Sequence, residues 1–172
     1  CLNLIDKLSN QLNIKKITAI DSFKNKIDIS LWHQLLIKKN IILKVKYDLL
    51  LNLQNDINII KKNFRKSSKS LINKGNKIWN VKIMKNLDEN TWNKFKDLHF
   101  KVSGKRTRPD TTWMLHKKQI QEKEAFLVYL EDTSKTIVGA GFFCFSKQEY
   151  SYRAGVYKRE LFDKPLGHTV QA

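Results

Sequence analysis

The chain has 172 residues, of which 41% are hydrophobic and 28% charged, so it can bury a real core as one domain or as two parts of something larger. Six glycines, two prolines and two cysteines exclude collagen-like, Pro/Gly-rich disordered and disulfide-framework proteins. The net charge of +17 reflects an anionic partner or a codon composition rich in A and T.

No apolar run reaches the roughly 18 residues of a membrane-spanning helix, and no signal peptide is recognisable. The expected location is therefore the cytoplasm, with association at the membrane surface as an addition. Because the chain begins at Cys1 and ends where a helix is expected to continue, we expect it to be a fragment.

The first 50 residues are predicted to form a helix, a strand, a second helix and a second strand. Apolar residues at helical spacing predict the first helix over residues 2–12, and Ser30 is placed to cap a helix that ends near Asn40. The strands are expected at residues 15–20 and 43–47.

A basic helix is expected next, starting at the cap residue Asp56 and ending at Gly75. Its apolar stripe consists of Ile57, Ile60, Phe64 and Leu71. The other side carries the cations, which form either an ordinary solvated surface or a ridge that faces phosphates: Lys61, Lys62, Arg65, Lys66 and Lys69.

The remaining residues predict a helix-flanked sheet. In order, we expect a strand with Trp79, Val81 and Ile83 on one side, helices 88–102 and 112–122, strands 125–131, 136–146 and 149–159, and a helix from about residue 166. This order resembles that of the GNAT acyltransferase core as far as its central helix. In that fold the helix after the fourth strand offers its first amides to the phosphates of the acyl donor.

The loop between the two helices is the first candidate binding site. Lys105, Arg106 and Arg108 crowd a segment bounded by glycine and proline, and guanidinium groups bind phosphate or carboxylate with two parallel hydrogen bonds. Asp110 is an alternative local partner for these arginines. Trp113, at the end of the loop, is expected in the core.

The last strand and the following helix form the second candidate site. Strand alternation places Tyr150, Tyr152 and Ala154 on one face and Arg153, Gly155 and Tyr157 on the other. The segment Pro165, Leu166, Gly167 and His168 opens the helix, where His168 could bind an anion or carry a proton.

Two stretches resemble the FemABX family. The first is FRKSSKSLINKG (residues 64–75) followed by IWNVKI (78–83), and the second is AGVY (154–157) followed by PLGH (165–168). The family has two GNAT-like domains in tandem, and its members transfer amino acids from aminoacyl-tRNA to peptidoglycan precursors. The resemblance implies an α+β fold in three layers, with a GNAT-like mixed sheet. It also implies three regions: the end of a first domain (1–54), a basic connecting helix (55–76) and a truncated second domain (77–172).

The resemblance implies an acyl- or aminoacyltransferase acting on an amine of a cell-envelope or polysaccharide precursor. The donor is acyl-CoA or aminoacyl-tRNA, and no metal is expected. We expect His168, Glu149 or Tyr157 to carry the proton. The anionic groups would be bound by Lys105, Arg106, Arg108, Tyr152 and Arg153, and the donor by Pro165, Leu166, Gly167 and His168. The alternative is a non-catalytic basic module that binds RNA or a membrane surface.

Overall fold

The computed structural model describes residues 2–13, 31–38, 42, 52–147 and 149–172. The chain divides into two compact units, Cys1–Leu51 and Asn52–Ala172. The first unit contains the helices α1 (Leu2–Gln11) and α2 (Leu31–Ile37), which confirms both predicted helices. The strands predicted at residues 15–20 and 43–47 lie outside the described residues.

The second unit alternates helices with a four-stranded sheet. Its elements are α3 (Ile57–Asn63), α4 (Lys66–Ile78), β1 (Asn80–Met84), α5 (Glu89–Ser103), α6 (Asp110–Gln121), β2 (Ala125–Glu131), β3 (Ile137–Phe145), β4 (Tyr150–Tyr157) and α7 (Leu166–Val170), with a 3-10 turn at Arg159–Leu161. The predicted order and types of elements from β1 to α7 are confirmed.

The single basic helix predicted from Asp56 to Gly75 was wrong. Asp56 does cap a helix, since its carboxylate accepts a hydrogen bond from the Asn58 amide at 2.8 Å. However, Phe64 and Arg65 adopt extended backbone angles, so α3 ends and α4 begins there. Gly75 does not end α4, which runs on to Ile78. It is buried inside that helix, where α7 packs too closely for a side chain.

The sheet has the order β1-β2-β3-β4, and every neighbouring pair is antiparallel. This confirms an α+β protein. The parallel pairing of the expected mixed sheet does not occur among the described strands. β4 has only β3 beside it in this sheet, so its other edge presents backbone groups that no described strand pairs.

Helices cover both faces of the sheet, giving three layers. On one face, α5 and α6 pack through aromatic residues against Phe142 of β3, and the largest contributors are Trp92, Phe95 and Trp113. On the other face, α7 packs through Leu166 and Val170, and α4 lies against α7. The predicted inward side of α5 and the core position of Trp113 are thereby confirmed.

The predicted apolar side of β1 is only partly covered. Trp79 is buried at the end of α4, whereas Val81 and Ile83 expose 39% and 56% of their surface. They share a sheet face with Val128 and Leu130, their partners in β2. Alternation therefore assigned the correct face, but α7 covers the middle of that face rather than its β1 edge.

Candidate functional site: a cationic pocket with two histidines

A pocket with a volume of about 320 Å³ opens between the C-terminal half of α5 and the start of α6. Four cations line it, namely Lys96, Lys105, Arg106 and Arg108, against two carboxylates, Asp97 and Asp110. The lining side chains therefore carry a charge of 4 − 2 = +2, with His99 neutral. A pocket of this sign favours an anionic ligand.

The loop that forms the pocket is short and held by local hydrogen bonds. Gly104 ends α5 with a φ of 67°, and its amide donates to the Phe100 carbonyl at 3.0 Å. Ser103 Oγ lies 2.6 Å from the His99 carbonyl and 2.8 Å from the Lys105 carbonyl. Pro109 then starts α6, so three cations are confined to the few residues between two helices.

Arg106 and Lys105 project from the rim of this pocket. The Arg106 side chain is 77% exposed and lies 3.2 Å from Asp110 Oδ2, while Lys96 Nζ lies 3.6 Å from Asp110 Oδ1. The alternative considered from the sequence, that Asp110 pairs with an arginine of the loop, is therefore confirmed for Arg106. Exposed ion pairs of this kind contribute little free energy, so Arg106 can exchange Asp110 for a ligand at low cost.

Arg108 differs from Arg106 because none of the described carboxylates pairs with it. Its Nη1 lies 2.5 Å from Nε2 of His99, and its guanidinium carbon lies 5.7 Å from the centre of the Trp113 ring. A guanidinium only donates hydrogen bonds, so His99 Nε2 must accept and the proton of the neutral ring lies on Nδ1. Arg108 is thus half-buried on an aromatic ring and a neutral imidazole.

Burial lowers the pKa of His99, and the nearby Arg108 guanidinium lowers that pKa further. His116, one turn after Trp113 on α6, is affected in the same way. Burial lowers its pKa first, followed by the charges of Arg108 and Arg153. His116 stacks on Phe142 with ring centres 4.5 Å apart, and its buried Nδ1 has no hydrogen-bond partner among the described residues.

The predicted faces of β4 were wrong. The register against β3 shifts by one residue, with Phe142 opposite Ala154 and Phe143 opposite Tyr152, so Arg153 is an extra residue in a β-bulge. Tyr152 and Tyr157 consequently share a face, and their hydroxyl groups lie 3.0 Å apart. A bulge reverses the alternation of side chains, which a strict two-residue period does not anticipate.

Arg153 instead lies on the α6 side of the sheet. There it hydrogen-bonds the Cys144 side chain and acts on His116 through its charge. Burial raises the pKa of the Cys144 thiol and Arg153 partly offsets this rise. Cys144 Sγ lies 3.7 Å from Gln119 Oε1, so it is a protonated donor rather than a reactive thiolate.

The opposite face of the sheet carries the other predicted residues. Burial, then the hydrogen bond with Tyr152, raises the pKa of Tyr157 well above its ordinary value. Gly167 lies beside the Tyr157 ring, since a Cβ built on it would be 3.8 Å away. His168 is exposed in the five-residue α7, while Pro165 and Leu166 are buried and belong to the core.

The predicted residues are therefore not one cluster. Lys105, Arg106 and Arg108 line the pocket at α5 and α6, whereas Tyr152 and Tyr157 lie on the opposite face of the sheet. Glu149 is exposed in the turn before β4, eight residues before the strand ends at Tyr157. At about 3.3 Å per residue, this separates their backbones by roughly 26 Å. Glu149 does not act together with Tyr157.

The sequence reasoning missed His99 and His116 as site residues. His99 lies four residues after Phe95, on the flank of the buried side of α5, so its spacing indicates partial burial. Nothing in the spacing predicts that Arg108, nine residues later, turns back onto it. His116 follows Trp113 by three residues, which places both rings on one side of α6.

The part of the chain that the structure describes contains no group of three His, Cys, Asp or Glu residues arranged to hold a metal ion. None of its helices is long and apolar enough to cross a membrane.

Comparison with models of known protein families gives no match, and no curated protein matches the chain. The class of protein is accordingly defined by the fold and the pocket alone, an α+β protein with a cationic pocket beside an antiparallel sheet.

Proposed function

We propose that the protein is an acyltransferase that moves an acyl or aminoacyl group to an amine of an anionic cell-envelope or polysaccharide precursor. The observation that carries the proposal is the half-buried Arg108, which lacks a carboxylate partner among the described residues and faces a cationic pocket. A phosphate or carboxylate of the acceptor would bind Arg108 in two-pronged fashion, with Arg106 and Lys105 at the rim.

The chemistry requires little more than positioning. The amine of the acceptor attacks the carbonyl of a thioester or ester, so the C–N bond forms and the donor's thiol or hydroxyl leaves. Such a reaction depends on a neutral amine, on alignment of the two substrates and on a donor for the developing oxyanion. The unpaired edge of β4 supplies backbone amides for that purpose.

Tyr157 fits the role of hydrogen-bond donor better than that of base. Since its pKa is raised, the hydroxyl stays protonated and can donate a hydrogen bond to the part of the acyl donor that lies on its own face of the sheet. The donor itself is acyl-CoA or aminoacyl-tRNA, bound near Gly167 and the exposed His168. Arg153, on the pocket side of β4, would support the acceptor.

Calorimetry and thermal shift with acetyl-CoA, free CoA, and charged and uncharged tRNA test this proposal, because a ligand of the native state raises Tm by mass action. A shift with acetyl-CoA that His168→Ala removes, and that Arg65→Ala, just before α4, retains, supports the CoA branch. A salt-sensitive shift with charged tRNA alone supports aminoacyl transfer. No shift with any of the four, together with equal binding of arbitrary RNA, would refute transferase function.

A non-catalytic RNA-binding module is the second candidate, and the exposed basic ridge on α3 and α4 favours it. We define the ridge as Lys61, Lys62, Arg65 and Lys66, which are all exposed and have no ion-pair partner among the described residues. Lys69, predicted with them, donates instead to the Lys62 carbonyl at 2.8 Å.

A further inference from the structure

The side chains of Arg108 and His99 hydrogen-bond to each other at the pocket. The 2.5 Å contact between Arg108 Nη1 and His99 Nε2 uses the lone pair through which a neutral imidazole accepts a proton. As long as this contact holds, His99 cannot act on a ligand. The imidazole lies edge-on to Trp113, with ring centres 5.2 Å apart, so the ring is fixed by packing as well as by the hydrogen bond.

A neutral imidazole is a weaker hydrogen-bond acceptor for the Arg108 guanidinium than an anionic group would be. A charge-assisted bond to a carboxylate or phosphate is stronger than a bond to a neutral imidazole, and it can use two guanidinium nitrogens at once. Arg108 remains half-buried on Trp113, within a pocket large enough for such a group. An oxyanion in the pocket therefore competes directly with His99 for the guanidinium.

The charges around His99 come from three elements. Lys96 and Asp97 line the pocket from α5, Lys105 and Arg106 from the loop, and Asp110 from α6, where His116 packs edge-on against Trp113. Lys96 and Arg106 each pair with Asp110. Arg108 is the charged group that contacts His99 directly, and it is the one whose charge lowers the pKa of His99. Its displacement would therefore change the protonation of the imidazole most.

We infer that an oxyanion of the acceptor, either carboxylate or phosphate, draws Arg108 away from His99 and so frees His99 Nε2 to accept the proton of the acceptor's amine. This inference rests on the proposed function. In the step, an ammonium group of the acceptor gives one proton to Nε2 and becomes a neutral amine, and His99 becomes the imidazolium. The amine then attacks the acyl carbonyl of the thioester or ester donor.

Imidazole NMR of the ¹⁵N-histidine-labelled protein tests the coupling without relying on catalysis. In chloride, we expect His99 to carry its proton on Nδ1 and to titrate below the ordinary value of 6.5. Inorganic phosphate or acetate, at matched ionic strength, should raise the pKa of His99 and change its Nε2 signal. The two anions separate a phosphate site from a carboxylate site, and His99→Gln assigns the signal.

Two substitutions complete the test. Arg108→Ala should raise the pKa of His99 in chloride and abolish the response to either anion, while Arg108→Lys keeps the charge but loses the two-pronged bond and should weaken the response. Arg159→Lys, at the exposed arginine of the 3-10 turn, is the matched control and should behave as the unmodified protein. An unchanged His99 in phosphate and acetate, or an equal response in Arg108→Ala, would overturn the inference.

The outcomes also separate this inference from the proposed function. Binding of an acyl donor without any response of His99 to the anions refutes the inference and leaves transferase function standing. A response of His99 without binding of any donor refutes transferase function, and the proton-acceptor role with it.

Discussion

The two histidines beside Arg108 determine, at the residue scale, how the protein responds to acid. Burial lowers the pKa of both His99 and His116, and neighbouring guanidinium groups lower it further. In the unfolded chain each imidazole binds a proton near its ordinary pKa of 6.5, whereas the folded protein binds it only at lower pH. Their contribution to stability is therefore intact above pH 6.5 and is lost as the pH falls through the folded pKa.

We predict that His116→Gln reduces the acid sensitivity of the fold. Between about pH 7.5 and pH 5, Tm of the unmodified protein should fall by a few degrees more than that of the variant, because glutamine does not titrate. Thermal unfolding followed by circular dichroism in matched buffers measures the difference. The same substitution at the exposed His168 is the control, and an identical fall of Tm in the unmodified protein and His116→Gln would contradict the prediction.

At the scale of elements, the contact between α4 and α7 depends on one small residue. Gly75 lies where α4 approaches α7, and a Cβ there would overlap Thr169 Oγ1 and come within 3.1 Å of the Pro165 carbonyl oxygen. Thr169 cannot easily move, since it is buried and donates to the Pro165 carbonyl at 2.5 Å. This contact holds α7 against the sheet face that carries Tyr157.

We predict that Gly75→Ala destabilises the protein, although the same change inside an exposed helix usually stabilises it by about 1 kcal/mol. Overpacking against Thr169 should lower the free energy of unfolding by about 1–3 kcal/mol, as measured by urea denaturation. Asn76→Ala, at the next and exposed position, should have a small effect of either sign. In Gly75→Ala combined with Thr169→Ala, the loss should be smaller than the sum of the single losses.

At the scale of the whole molecule, the charge of 33 − 16 = +17 is distributed over separate surfaces. One is the basic ridge of α3 and α4, and another is the pocket with Arg108. Of these two surfaces, the pocket is the one that combines cations with a histidine of lowered pKa, an environment often found at functional sites. The ridge is suited to binding that depends on charge alone.

We predict that arbitrary single-stranded RNA binds weakly and loses affinity steeply with salt, with a slope of about −0.7 in log–log form for each phosphate neutralised. Replacing Lys61, Lys62 and Lys66 by glutamine should reduce the magnitude of the slope by about 2, because three contacts are removed. Fluorescence anisotropy across a salt series provides the measurement. A matched triple variant at the exposed Lys118, Lys123 and Lys135 should change the slope less, and equal changes would exclude the ridge as the interface.

Local sequence signals were sufficient for most elements. Asp88 caps α5 by accepting from the amides of Asn90 and Thr91 at 3.0 and 3.4 Å, and Asp132 closes the turn between β2 and β3 by accepting from Ser134 and Thr136. These short-range bonds depend on neighbouring residues, so the sequence reveals them. The break between α3 and α4 was not predicted, because it lies at Phe64 and Arg65 and contains neither glycine nor proline.

By itself, the sequence determined the order of helices and strands from β1 to α7, the burial of residues such as Phe95 and Trp113, and the cationic character of the loop at Arg108. Periodicity, capping and charge are local properties, because each depends on residues that are close together in the sequence. Only the tertiary structure decided that a bulge at Arg153 places Tyr152 beside Tyr157, and that Arg108 meets His99 rather than a carboxylate. Both outcomes depend on the register of β4 and on the packing of α5 against α6, which join residues that local patterns do not relate.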